Sequence, residues 1–269
     1  MATGAGSPFA RLRDALMTQW FRSRPGPLAS LLRPVAALYG VLQRRDRRRR
    51  ELAAATLPQP AVPVIVVGNL VPGGAGKTPT TIAIVQALQD AGWRPGVVSR
   101  GHGRRGRAVA SVDARSDAQA VGDEPLLIRR RTGVPVMVGP DRRAAALQLL
   151  QRHPQVDVLL ADDGLQHRQL RRDVEVLVFD ERGIGNGLLL PAGPLREPLP
   201  AAPGPSMLVL YNHDRPSTSW PGAVTRRRLA GAWPLDRWLA AGGEPPRPLA
   251  ALQGRPLLAM AGIAVPERF

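Results

Sequence analysis

VGNLVPGGAGKTP, residues 67–79, joins an apolar run to a helical pattern through a glycine-rich turn ending in Lys77, the one lysine of a chain whose other basic residues are all arginine. Gly73, Gly74, Ala75 and Gly76 supply a turn in which backbone N–H groups curl around phosphate oxygens. The following helix start adds its partial positive charge, Lys77 reaches the β and γ phosphates, and the Thr78 hydroxyl suits Mg²⁺. The broad guanidinium fork of arginine does not replace a compact ammonium at that point, which accounts for the lysine. Pro79 falls in the first helical turn, where its missing N–H costs little. The match is not strict, because the usual spacing puts glycine at Val71. The competing reading is a chance glycine-rich turn before a helix.

Around this loop the chain alternates short apolar runs with helical patterns. VPVIVVG (62–68), GVVS (96–99), VPVMV (134–138), VDVLLAD (156–162), VEVLVFD (174–180), MLVLYN (207–212) and PLLAMAG (256–262) read as strands covered on both faces. Helical stretches from Thr80 to Asp90 and from Arg142 to Arg152 lie between them. The expected fold is therefore α/β, a P-loop NTPase-like, doubly wound and mostly parallel sheet. A proline-rich stretch from Pro191 to Pro205 marks a hinge or boundary. The expected organisation is an N-terminal helical, basic, membrane-docking region at 1–57, a kinase core at 58–205, and from 206 to 269 the start of a second, smaller α/β domain.

Residues 28–42 place Leu28, Leu31, Leu32, Val35, Leu38, Tyr39 and Leu42 at helical spacing, and six arginines crowd residues 44–50 directly after them. Apolar insertion joined to a basic cluster suits reversible attachment to an anionic leaflet, at about 1 kcal/mol per charge near the surface. An ordinary amphipathic helix packed on the core, with a solvated basic tail, is the alternative. The net charge of +16 calls for a polyanionic partner: nucleic acid, anionic lipid or a phosphorylated substrate. A codon bias toward arginine, alanine and proline explains most of the excess equally well. Nucleic-acid binding is disfavoured, because aromatic residues do not interleave with the basic ones and no DNA-binding motif is present. With no cysteine, thiolate chemistry and disulfides are excluded. No zinc spacing and no G-x-S-x-G elbow appears.

Phosphoryl transfer needs acids for Mg²⁺ and for the attacking hydroxyl. VLLADDGLQH ends an apolar run at Asp162 and Asp163, the edge where such sheets bind ligands. GDEP carries Asp123 and Glu124, and SRGHGRRGR (99–107) is a glycine and arginine loop suited to a phosphate or sugar. Strand-end capping, a surface loop and a flexible linker are their respective structural alternatives.

Together VGNLVPGGAGKTP, SRGHGR, VGDEP, DDGLQHRQLRRD, GNGLLLPAGPLREPL and AGIAVPERF resemble, in content and order, the tetraacyldisaccharide 4'-kinase family of lipid A biosynthesis, from about residue 28 onward. The resemblance implies ATP and Mg²⁺ as cofactors and transfer of the γ-phosphate to the 4'-hydroxyl of an acylated glucosamine disaccharide 1-phosphate. It also implies a peripheral position at the cytoplasmic face of the bacterial inner membrane, against an anionic lipid surface. By that resemblance Gly73, Gly74, Ala75, Gly76, Lys77 and Thr78 hold the nucleotide, and Asp123, Lys77 and Asp163 are catalytic. Thr78, Glu124 and Asp162 organise the metal, while Ser99, Arg100, His102 and His167 line the substrate. His102 stands where the family commonly has tyrosine. Family members continue past PERF into a segment whose histidine pairs with the catalytic acid, so a truncated, inactive member is one alternative expectation; a P-loop ATPase or switch is another. An oligomer is not among the things the resemblance implies.

Overall fold

The computed structural model describes residues 16–22, 24–226, 231–236 and 247–256. The expected strand at 256–262 and the AGIAVPERF motif fall almost wholly outside the described residues. Helix α1 (Pro27–Thr56) leads into β1 (Val64–Gly68), α2 (Lys77–Asp90) and β2 (Pro95–Ser99). Then come β3 (Ala110–Val112), the single turn α3 (Ala118–Val121), α4 (Asp123–Thr132), β4 (Val136–Val138) and α5 (Arg142–Arg152). β5 (Val158–Asp162), β6 (Val174–Phe179), β7 (Met207–Tyr211) and β8 (Ala223–Val224) complete one sheet in the order β3-β4-β2-β5-β1-β6-β7-β8. Every pairing is parallel except β3 with β4.

Strand alternation sorts the core into two layers, because successive side chains leave a strand on opposite faces. Val64, Val66, Leu159 and Ala161 pack with Ala145 and Leu149 of α5. Leu160, Val97 and Val136 go to the other face, against Ile82 and Val85 of α2 and Leu126 and Ile128 of α4. With each buried Val or Leu contributing about 1.5–3 kcal/mol, these layers fix β1 beside β5. The register pairs Val67, one residue short of the end of β1, with Asp162 at the end of β5.

Two expectations change. The surface-loop alternative for GDEP does not hold: Asp123 and Glu124 open α4, and Arg129, Arg130 and Arg131 close it. Acids at the N-terminal turn and cations at the C-terminal turn both complement the helix dipole, which favours helix there. The Pro191–Pro205 stretch, expected as a hinge or boundary, begins as a folded turn: Leu190 N–H donates to Leu195 O, and Arg196 N–H reaches back to Leu70 O at 2.9 Å. Beyond it β7 pairs with β6, so the expected boundary at 205 is crossed by one continuous sheet.

Helix α1 buries Ala29, Ala36 and Gly40, half-buries Leu28, Leu32 and Tyr39, and turns the others outward: Leu31 is 75% exposed, Val35 52%, Leu38 60% and Leu42 54%. At Gly40 the helix passes so close to Leu189 that an added Cβ would lie 2.8 Å from its Cδ1. No described helix is long and apolar enough to cross a membrane.

Candidate nucleotide and phosphoryl-transfer site

The loop between β1 and α2 is held from several sides. Asn69, fully buried, donates from Nδ2 to Val71 O at 2.6 Å and spans the loop from within. Gly73 and Gly76 take φ of 107° and 83°, values a side chain resists, and so turn the chain into a cup. Ala75 is buried in the loop wall, Gly74 lies exposed, and Thr78 is buried in the first turn of α2. From the end of β7, Asn212 Nδ2 donates to Ala75 O at 2.8 Å. Amides at the start of α2 have no partner inside their own helix and face an incoming anion.

Lys77 and the two acids at the end of β5 meet at the mouth of this cup. Lys77 Nζ stands 3.6 Å from Asp163 Oδ1, and Arg196 Nη1 stands 4.0 Å from the same oxygen. That oxygen is buried with no hydrogen-bond partner. Asp163 adopts φ of 48°, alone among non-glycine residues described; left-handed geometry is uncommon for a side-chain-bearing residue and gathers at functional sites. Its neighbour Asp162 is fully buried, accepting from Thr81 Oγ1 at 2.8 Å and from Ser99 Oγ at 3.5 Å. Burial pushes the Asp162 carboxyl up to about 6, reinforced by Glu124 and Asp163 and offset in part by the Thr81 bond and Lys77. The Glu124 carboxyl is raised too, first by desolvation although the residue is open to the surface, with Lys77 opposing and Asp123 and Asp163 adding to the rise. Asp123, Glu124, Asp162, Asp163 and Lys77 therefore share one electrostatic field.

The glycine-rich loop after β2 meets the start of α4 backbone to backbone. A Cβ on Gly122, whose φ is 95°, would lie 3.0 Å from Gly101 Cα, and one on Gly101 would lie 2.7 Å from Val121 O. That approach, open only to glycine, brings the Ser99–His102 loop against Asp123 and Glu124. Ser99 is buried, whereas Arg100, His102, Asp123 and Glu124 are exposed. His167 is set apart: its Nε2 accepts from Arg142 N–H at 3.2 Å. Burial and the Arg142 charge lower it to about 4, so the ring is neutral near pH 7. Arg142 itself is buried and donates to Asp163 O at 3.3 Å.

Several residues not singled out from the sequence complete the site. Gln166 Nε2 donates to Asn69 O at 3.2 Å and to the buried Glu197 at 3.3 Å. Arg168 donates to Glu197 at 2.7 Å. Between α1 and these residues lies a cavity of about 370 Å³ carrying Arg47, Arg50, Arg168 and Arg196 against Asp46 and Glu197. Arg196 lines this cavity and also makes the Asp163 contact, so its side chain links the two. Its place in LLPAGPLREPL was the available signal; Asn69 and Asn212 were marked only by standing at strand ends.

The residues fit a triphosphate with one divalent ion. Among the described residues no group of three or more His, Cys, Asp and Glu side chains forms a cage for a metal. Mg²⁺ needs no such cage, since it takes one or two carboxylates, substrate phosphates and water. The orphaned Asp163 oxygen and the raised Asp162 and Glu124 carboxyls mark a negative cluster that a cation would relieve.

A family model described as tetraacyldisaccharide-1-P 4'-kinase matches residues 28–269. The chain is 55% identical over 261 residues to a tetraacyldisaccharide 4'-kinase of Methylibium petroleiphilum, covering 97% of this chain and 72% of that one. It is 57% identical over 244 residues to a protein of the same name from Leptothrix cholodnii, covering 91% and 70%. Among solved structures, the "apo" form LpxK from Aquifex aeolicus in complex with ATP aligns with a TM-score of 0.56 and 31% identity, over 68% of this chain and 58% of that one. The shared kinase names do not favour an ATPase or switch.

Proposed function

The chain belongs to the tetraacyldisaccharide-1-P 4'-kinase family and is an ATP-dependent kinase, and from that premise we propose how its residues carry the reaction and where it works. The substrate is the acylated glucosamine disaccharide 1-phosphate, and the nucleophile is its 4'-hydroxyl. The observation that carries this reading is the meeting of Lys77, Asp163 and Arg196 at one oxygen, between the phosphate cup and the arginine-lined cavity.

The amides of residues 73–78 and the Lys77 ammonium bind the β and γ phosphate oxygens and hold the terminal phosphate in line with the acceptor. Thr78, Asp162 and Glu124 would hold Mg²⁺, directly or through water, and the ion would neutralise charge on the β and γ oxygens. Asp123, exposed at the start of α4, orients the 4'-hydroxyl and takes its proton as the new O–P bond forms and the bond to ADP breaks. Asp163 fixes the Lys77 ammonium at the cup and is itself held by Arg142 and Arg196. Ser99 steadies Asp162, while Arg100 and His102 face the sugar. His167, committed to the Arg142 amide, shapes the wall as a neutral ring. The arginines of the cavity receive the anionic sugar phosphate.

Placement at an anionic bilayer rests on α1. Its outward Leu31, Val35, Leu38 and Leu42 give acyl chains and lipid an apolar face, and Arg44–Arg50 lie at the same end as the cavity. The buried small-residue face runs against the alternative of an ordinary core-packed amphipathic helix.

The test is direct: incubate the purified chain with radiolabelled ATP, Mg²⁺ and the disaccharide lipid in detergent micelles. Labelled lipid with the phosphate at the 4' position is the expected product. ATP bound without any labelled lipid refutes the substrate assignment.

A further inference from the structure

Arg182 has no role in the account above, yet it is fixed against the phosphate cup from three sides. Its Nε donates to Asp180 Oδ2 at 2.9 Å, its Nη2 lies 2.8 Å from the same oxygen, and its own N–H donates to Asp180 Oδ1 at 3.0 Å. Asp180 is buried at the end of β6. One face of the guanidinium is covered by the Phe21 ring, 4.7 Å from Cζ to the ring centre. The remaining edge looks at the loop: a Cβ placed on Gly73 would lie 3.0 Å from Nη2 and 3.1 Å from Nη1.

A guanidinium has five N–H donors; Asp180 accepts the one on Nε and pairs in charge with Nη2. Among the described residues Nη1 and Nη2 have no hydrogen-bond partner that competes with a ligand for their outer edge. If Arg182 only closed the turn after β6, Asp180 would suffice and the fork could point to solvent. Instead both terminal nitrogens lie over Gly73, in the loop four residues before Lys77.

We propose that Arg182 is a catalytic residue supplied in cis to the terminal phosphate of bound ATP. Lys77 approaches that phosphate from the start of α2 and Arg182 from over Gly73, so that charge spreading over the transferred oxygens meets two cations. Phe21 is a positioning residue. Its backbone neighbour is anchored by Asn186 N–H to Trp20 O at 2.7 Å, and Trp20 Nε1 donates to Pro191 O at 2.8 Å. The ring thereby presses the guanidinium over the glycine. This rests on the ATP-dependent kinase reading, and its test separates the two.

The experiment compares the whole chain with Arg182→Ala, Arg182→Lys and Phe21→Ala, measuring Mg-ATP and Mg-ADP affinity by calorimetry, melting temperature, and turnover on the disaccharide lipid. Arg182→Ala is expected to lose roughly tenfold or more in its preference for ATP over ADP, keep its ADP affinity within about twofold, and fall about a thousandfold in kcat. Added guanidinium ion at millimolar concentration is expected to restore part of the rate. Arg182→Lys keeps the ion pair with Asp180, hence the turn, and is expected to lose rate nearly as far because it lacks the fork. Phe21→Ala is expected to lower kcat by about tenfold with its ADP affinity unchanged. Wild-type protein that binds neither nucleotide overturns the kinase reading and this proposal with it. Wild-type protein that binds ATP, with folded Arg182 variants keeping its ATP preference and turnover, overturns this proposal alone.

Discussion

Lys77 and Asp163 face each other across the mouth of the phosphate cup, 3.6 Å from Nζ to Oδ1, with Asp163 held in a left-handed backbone conformation. The lysine thus waits beside a carboxylate whose other near cation, Arg196, is more distant. Replacement by alanine removes the ammonium without opening a core cavity, because Lys77 sits at the loop. Lys77→Ala is expected to reduce phosphoryl transfer at least a hundredfold to a thousandfold with its circular dichroism and melting little changed. Turnover equal to wild type would end the claim that this loop grips the triphosphate.

Asp162 ties function to a stability cost. Its carboxyl is raised in the folded state to about 6 from 3.8, so the native protein holds this proton more tightly than the unfolded chain does. Stability from this group is present below about pH 4 and is lost as pH rises through 6, by an amount on the order of 2–3 kcal/mol. Asp162→Asn, measured without nucleotide or Mg²⁺, is expected to melt higher than wild type at pH 7.5 and equally at pH 4, while losing kinase activity. A variant that melts lower at pH 7.5 contradicts the assignment.

His167 runs the other way. Its folded value of about 4 lies below the ordinary 6.5, so stability is intact above 6.5 and lost as pH falls toward 4, when the unfolded chain takes up a proton that the native ring refuses. His167→Gln keeps an acceptor for the Arg142 amide and removes the titration. Urea midpoints should show the variant gaining on wild type between pH 7.5 and pH 4.5; parallel curves would exclude this behaviour.

Gly122 and Gly101 touch, and the acids of α4 depend on that contact. Gly122→Ala meets Gly101 at 3.0 Å with φ of 95° and is expected to cost about 1–2 kcal/mol and to cut turnover severalfold or more by displacing Asp123 and Glu124. Gly92→Ala also has a positive φ but meets nothing within 4 Å. Turnover per folded molecule is expected to survive in that control. Equal loss in both variants would separate the contact from catalysis.

Leu31 and Leu38 are exposed, so replacing them should leave the fold unharmed. The double variant Leu31→Gln, Leu38→Gln is expected to keep its melting temperature within a few degrees and to lose about tenfold in binding to anionic vesicles. Flotation against phosphatidylglycerol vesicles measures this, and undiminished flotation removes α1 from the docking surface.

Much of this arrangement was legible in residue order. Six of the strands were marked by runs of Val, Ile and Leu, because parallel strands covered on both faces read as unbroken apolar segments. β3 and β8 were not, having three and two residues, too short to show a period. α4 was not read out of GDEP, although acids and a proline in a first turn are compatible with a helix start. In the site, Lys77 and the acid pairs carried their own spacing. Arg142, Arg182 and Asn212 did not, since their neighbours in space lie tens of residues away in sequence. The outward turn of α1 also escaped the pattern: periodicity locates an apolar stripe but does not say what covers it.

The alanines and glycine beneath α1 leave Leu31, Leu38 and Leu42 facing water, and in plain buffer such a stripe has another escape, which is to meet its counterpart on a second molecule. Crowding and bilayer would then compete for the same surface. Sedimentation should find aggregates that grow with protein concentration and dissolve when detergent is added, so a preparation judged inert at high concentration would be one whose proposed membrane-facing stripe is buried against itself.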